Sequence, residues 1–127
     1  MSNEIQIILY TDEKDRNYVS EFILSLNVKT QSKFYSILNL LKEKGKTLKE
    51  PYVKHLEQGI HEIRVRFSNE NIRILYFWDT DNRIVLTNGF LKKMQKIKRS
   101  EIELAIKRRQ DYYRRYLTWT NYIPWMI

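Results

Sequence analysis

The chain has 127 residues, 43% of them hydrophobic and 30% charged, which fits one folded domain and excludes a disordered or fibrous protein. It has no cysteine, so disulfides and thiolate metal sites are excluded, and no apolar run approaches the length of a membrane helix. The net charge of +8 is concentrated: residues 92–115 hold ten basic and three acidic side chains, whereas the rest of the chain is nearly balanced. A basic segment of this kind favours an anionic partner.

Glu4 to Tyr10 reads as a strand, with Ile5, Ile7 and Leu9 on one face. Asp12 to Asp15 is a polar break, and Asp12 or Asp15 is a candidate cap for a helix over residues 16–26. In that helix Val19, Phe22, Ile23 and Leu26 fall on one face. Asn27 then separates it from a second helix with Phe34, Ile37, Leu38 and Leu41 at the same spacing, closed by Gly45. Together they predict an N-terminal helical hairpin.

Residues 46–59 read as a loop, because Pro51 excludes a helix interior and Gly59 marks an end. Three strands follow, joined by turns at residues 68–71 and 79–82, which predicts an antiparallel meander. In the second of them Ile72, Ile74, Tyr76 and Trp78 share the core face, leaving Arg73 and Phe77 on the exposed one. In the last, Ile84, Leu86, Asn88 and Phe90 share a face, with Gly89 as a candidate bulge. Ser100 and Glu103 have capping-box spacing and predict a helix from about Glu101. The expected fold is α+β, in the order β-α-α-β-β-β-α: a four-stranded sheet with two helices on one side and a basic helix at the C-terminal end. The domain spans 1–117. Residues 118–127 form an apolar tail, with Trp119, Tyr122, Ile123, Trp125, Met126 and Ile127, expected to dock on the domain or on a second chain as a homodimer.

No glycine-rich phosphate loop is present, and the two histidines lack metal-ligand spacing. Arginine and lysine instead recur on strands and at their ends. Arg64 and Arg73 come from neighbouring strands, and Lys92 and Lys93 follow the last strand. Guanidinium groups bind phosphate oxygens in bidentate fashion and can stabilise charge that develops on phosphorus. Phe77, exposed by parity, is a candidate for base stacking. His61 shares the parity of Ile63 and Val65 and reads as structural.

Several stretches together resemble a known family: residues 50–56, Ile60-His61-Glu62-Ile63-Arg64, Ile72-Arg73-Ile74-Leu75-Tyr76-Phe77, Asn88-Gly89-Phe90-Leu91-Lys92-Lys93-Met94-Gln95-Lys96, and Glu101-Ile102-Glu103-Leu104-Ala105. Their order and spacing resemble the phage-associated HigB-like branch of the RelE/ParE toxin superfamily. The resemblance covers about residues 4–113. It implies a RelE-like fold and a cytoplasmic type II toxin neutralised by a co-encoded helix-turn-helix antitoxin. It further implies an mRNA-cleaving, metal-independent endoribonuclease without a cofactor, commonly ribosome-dependent. Two departures stand out: His61 replaces a usual aromatic residue, and Asn88 replaces a frequent histidine.

On this reading Arg64 and Arg73 clamp the phosphate, Lys92 and Lys93 supply charge or a base, with Lys93 the better match to the family's position, and His55 is the alternative acid or base. Arg66, Phe77, Lys92, Lys96, Lys107, Arg108 and Arg109 are the candidate RNA-binding residues. A second class of function stays open: a non-enzymatic relative, either a ParE-like toxin that binds a protein or an inactive antitoxin-binding protein.

Overall fold

The computed structural model describes the backbone of residues 4–122 and the side chains of residues 4–115. The elements are β1 (Gln6–Leu9), α1 (Tyr18–Leu24), α2 (Val28–Lys44), a 3₁₀ turn (Gly45–Thr47), β2 (Val53–Glu57), β3 (Ile60–Phe67), β4 (Glu70–Thr80), β5 (Arg83–Leu91) and α3 (Arg99–Tyr122). The strands form one sheet in the order β1-β5-β4-β3-β2. All neighbours are antiparallel except β1, which lies parallel to β5. The fold is therefore α+β, of the expected RelE-like kind, with five strands rather than four.

The additional strand is β2, inside the stretch expected to be a loop. Its side chains do not alternate: Val53 is buried, Lys54 and His55 are exposed, and the register shifts between His55 and Glu57. Gln58 and Gly59 then turn the chain with positive φ at both positions, the geometry of a tight two-residue hairpin.

Local chemistry sets the helix ends. Asn17, not Asp12 or Asp15, caps α1 by accepting the Ser20 amide. Asp12 instead accepts the amides of Lys14 and Arg16 and folds the connecting loop. Asn27 caps α2 by accepting the Lys29 amide. The expected capping box of α3 is absent: the helix begins at Arg99, and Glu103 pairs with the Arg99 guanidinium at 3.4 Å. α3 runs on to Tyr122, and so includes the first residues assigned to the tail. The tail's side chains lie outside the described residues.

The two sheet faces are packed differently. α1 and α2 cover one face, where Ile63, Val65, Ile72, Ile74, Tyr76, Ile84 and Leu86 join Val19, Ile23, Phe34, Ile37 and Leu41. α3 crosses the opposite face, where Ala105 meets Ile60, Leu75, Phe77 and Val85. Tyr10 and Tyr112 anchor α3 by donating to Asp111 (2.7 Å) and Asp79 (2.9 Å) respectively. The second face is thus only partly open, and Phe77 is buried rather than exposed. Its ring lies against Tyr112 and Tyr113, with centroids 5.7 and 5.6 Å away.

The bulge in β5 falls two residues before the expected place. Leu75 pairs with Asn88 but Tyr76 pairs with Leu86, so Thr87 is the extra residue. The shift moves Asn88 and Phe90 onto the α3 face, away from Ile84 and Leu86. Gly89 serves a different purpose: a Cβ there would lie 2.4 Å from the Phe22 ring, so the glycine lets α1 approach the sheet.

Candidate functional site

The part of the second face that α3 leaves open is a cationic cleft. Register places Arg64 of β3 directly opposite Arg73 of β4, and Arg73 opposite Phe90 of β5. Arg64, Arg66, Arg73, Lys92 and Lys93 line the cleft together with Pro51, Asn71, Met94 and Gln95. The backbone amide of Lys92 donates to the Asn71 carbonyl at 2.7 Å, which ties the segment after β5 to the start of β4.

The arginines differ in state. Arg73 is 4% exposed. Its Nε lies 2.6 Å from Oε1 of Glu62, which is equally buried. The two charges face each other without aligned hydrogen-bond geometry between those atoms. A terminal Arg73 amino group donates to the Asn71 side chain and to the Ile72 carbonyl. Burial lowers the Arg73 pKa, and the Glu62 carboxylate opposes that shift. Arg64 is half-buried, with Nη1 3.5 Å from Glu50 and Nε 4.0 Å from Glu62. Arg66 and Lys93 are exposed.

The five cations of the cleft outnumber the two carboxylates that pair with its arginines, Glu50 and Glu62, and Glu62 is buried. Lys92 is half-buried at the cleft edge, and its pKa is lowered, first by burial and then by the charge of Arg73. A lysine held in this way gives up its proton more readily than a free one. An excess of cations of this kind suits an anion.

The other residues expected at the site lie elsewhere. His55 is exposed on the edge strand β2 and lines a separate cavity with His61, Tyr76 and Trp78. Lys96 borders a recess beside the cleft with Phe90, Lys92 and Lys93. Lys107 is exposed on α3. Arg108 turns inward: it donates to the Thr87 carbonyl at 2.9 Å and lies over the Tyr18 ring at 4.0 Å. It thereby satisfies a carbonyl at the bulge. Arg109 donates to the Gln58 carbonyl. Phe77 is core, as described above.

Residue-by-residue reading missed Glu62 and Asn71 as partners of Arg73. Glu62 shares the parity of Arg64, and that was the available signal; its burial depends on the register of β3 against β4. Asn88 is also buried. It donates to the Glu101 carbonyl at 3.3 Å and does not line the cleft. A histidine in its place would pack under α3.

Residues 21–110 match the family of phage-derived Gp49-like proteins (DUF891). The match covers well over half of the chain, and the protein belongs to this family, which is related to RelE/HigB-type toxins. No curated protein matches the chain. No described helix is long and apolar enough to cross a membrane.

Proposed function

We propose that the protein is the toxin of a type II toxin–antitoxin system, a HigB-like endoribonuclease that cleaves mRNA without a metal. One observation carries this reading: five cations from two strands, β3 and β4, and the segment after β5 converge on one cleft in a Gp49-like chain. Arg64 and Arg66 bind the non-bridging phosphate oxygens, and Arg73 holds the positive field in place from beneath. Lys92 takes the proton of the ribose 2′-hydroxyl. The O2′ attacks phosphorus, the bond from phosphorus to the 5′-oxygen breaks, and that oxygen leaves with a proton delivered by Lys93 or by water. The products are a 2′,3′-cyclic phosphate and a 5′-hydroxyl end. Between Lys92 and Lys93, the half-buried position and lowered pKa favour Lys92 as the base. On this reading the protein acts in the cytoplasm, on free or ribosome-bound mRNA, and pairs with a helix-turn-helix antitoxin.

The non-enzymatic alternative draws on the engagement of Arg73 by Glu62, Asn71 and its own backbone. Expression without antitoxin, followed by sequencing of mRNA 5′ ends, separates the two. New 5′-hydroxyl ends that disappear in Arg64→Ala support the ribonuclease. Growth arrest without new ends overturns it in favour of a protein-binding toxin.

A further inference from the structure

The cavity that holds His55 is unlike the cleft. It lies between the 3₁₀ turn, the segment entering β2, and the ends of β3 and β4. Register puts His55 opposite His61, and His61 opposite Tyr76, so three rings from three strands form a row. The His55 and His61 rings meet edge to face at 4.9 Å, and the His61 and Tyr76 rings stack at 5.2 Å with 23° between their planes. Tyr76 is fully buried, His61 and Trp78 are half-buried, and His55 is exposed. The row therefore starts in the core and ends at the open side of the cavity.

The charges around it are mainly positive. Lys46, Lys49, Lys54 and Arg109 line the cavity, and Glu50 is its single acid. The Lys46 ammonium lies 5.3 Å over the Trp78 ring. An aromatic lining with cations at its rim suits a ligand with an aromatic ring and a negative charge.

We propose that this cavity is a nucleobase subsite for single-stranded RNA, holding a base that flanks the phosphate bound in the Arg64–Arg73 cleft. The inference rests on the reading that the protein acts on RNA. The link between the two places is the wall formed by residues 50–54. Pro51 lines the cleft, while Glu50 lines the cavity and also reaches Arg64 at 3.5 Å. Arg64 and His61 lie on opposite faces of β3, so a strand held at Arg64 reaches His55 by passing over this wall around the β2 edge of the sheet. Burial, with His55 and Lys46 alongside, pushes His61 down to about 4, so at neutral pH its ring is uncharged. An imidazole pair with one open face does little to seal a core, which a branched aliphatic side chain does better. It does present a stacking surface.

The test uses the full chain and a short 2′-O-methyl RNA oligonucleotide, which cannot be cleaved, with binding read by fluorescence anisotropy. His55→Ala is expected to weaken binding about five- to tenfold, the lower part of the range for one stacked base, and His55→Phe to restore it. Lys49→Gln is expected to reduce the log–log salt slope by about 0.7. If Arg64→Ala loses binding while His55→Ala binds like the wild type, the subsite is wrong and the RNA reading stands. If His55→Phe binds as weakly as His55→Ala, stacking is wrong. If the wild type does not bind the oligonucleotide at all, the RNA reading fails and the subsite with it.

Discussion

The two faces of the sheet are built from the same strands by opposite means. On the α1/α2 face Ile63, Val65, Ile72, Ile74, Tyr76, Ile84 and Leu86 form an apolar layer that the two helices bury. On the α3 face the strands carry Leu75, Phe77 and Val85 at one end and Arg64, Arg66 and Arg73 at the other. A single helix can cover only the apolar end. The lesson is one of division: α3 closes half of a face as core and leaves the other half as a charged cleft. The buried Glu62–Arg73 pair sits in that open half beside the cleft. Pairs of this kind add little net stability, because desolvation offsets attraction, so orientation of the cleft is the use the geometry supports best.

Phe77 offers the strongest way to break this division. If it is core, Phe77→Ala costs about 3–5 kcal/mol of stability, read as a fall in the urea midpoint. If it belonged to an exposed binding face, the same change would leave stability nearly unaltered and weaken RNA binding instead.

Why Phe77 misleads as a sequence feature is instructive. Parity along β4 places it with Arg73 correctly, and both lie on the α3 face. What parity cannot give is where along the strand the covering helix stops. The helical hairpin and the meander were legible because their spacing and turns are local. The strand β2 was not, because its register shift breaks the alternation. The parallel pairing of β1 with β5 joins the first strand to the last, more than 70 residues away, and nothing nearby in sequence specifies it. The bulge at Thr87 reverses the parity of Asn88 and Phe90. Of the site, the Arg64–Arg73 neighbourhood and the lysines after β5 were legible. The burial of Arg73 and the removal of His55 to another cavity depend on register and packing.

Arg108 sharpens the same boundary with a smaller effect. Sequence groups it with Lys107 and Arg109 as one basic patch, but its guanidinium satisfies the bulge carbonyl of Thr87. Arg108→Ala is expected to cost about 1.5–3 kcal/mol, the range for a hydrogen bond to a charged group. Lys107→Gln, on the exposed side of α3, should stay within about 0.5 kcal/mol. Equal effects in thermal or urea unfolding would mean that α3 carries an undivided solvated patch.

The smallest effect distinguishes the faces by pH. His61 lies where the α1/α2 face meets the aromatic cavity, and its pKa falls from 6.5 to about 4 in the folded chain, through burial first and then the nearby His55 and Lys46. A histidine with a depressed folded pKa contributes stability that is full above its unfolded pKa and lost as pH falls through the folded one. The window is thus between about pH 6.5 and 4, with a slope of at most about 1.4 kcal/mol per pH unit, less for the exposed part of the ring. Carboxylates with lowered pKa, among them Asp12, Glu21 and Asp111, act in the same sense but at lower pH. Glu101, whose pKa is raised by burial, acts in the opposite sense. Comparison of the wild type with His61→Phe removes these shared contributions. The stability difference between the two proteins should widen in favour of the variant as pH falls through this window. A difference independent of pH would mean that His61 is solvated in the folded chain and that the cavity floor is more open than its stacking on Tyr76 implies.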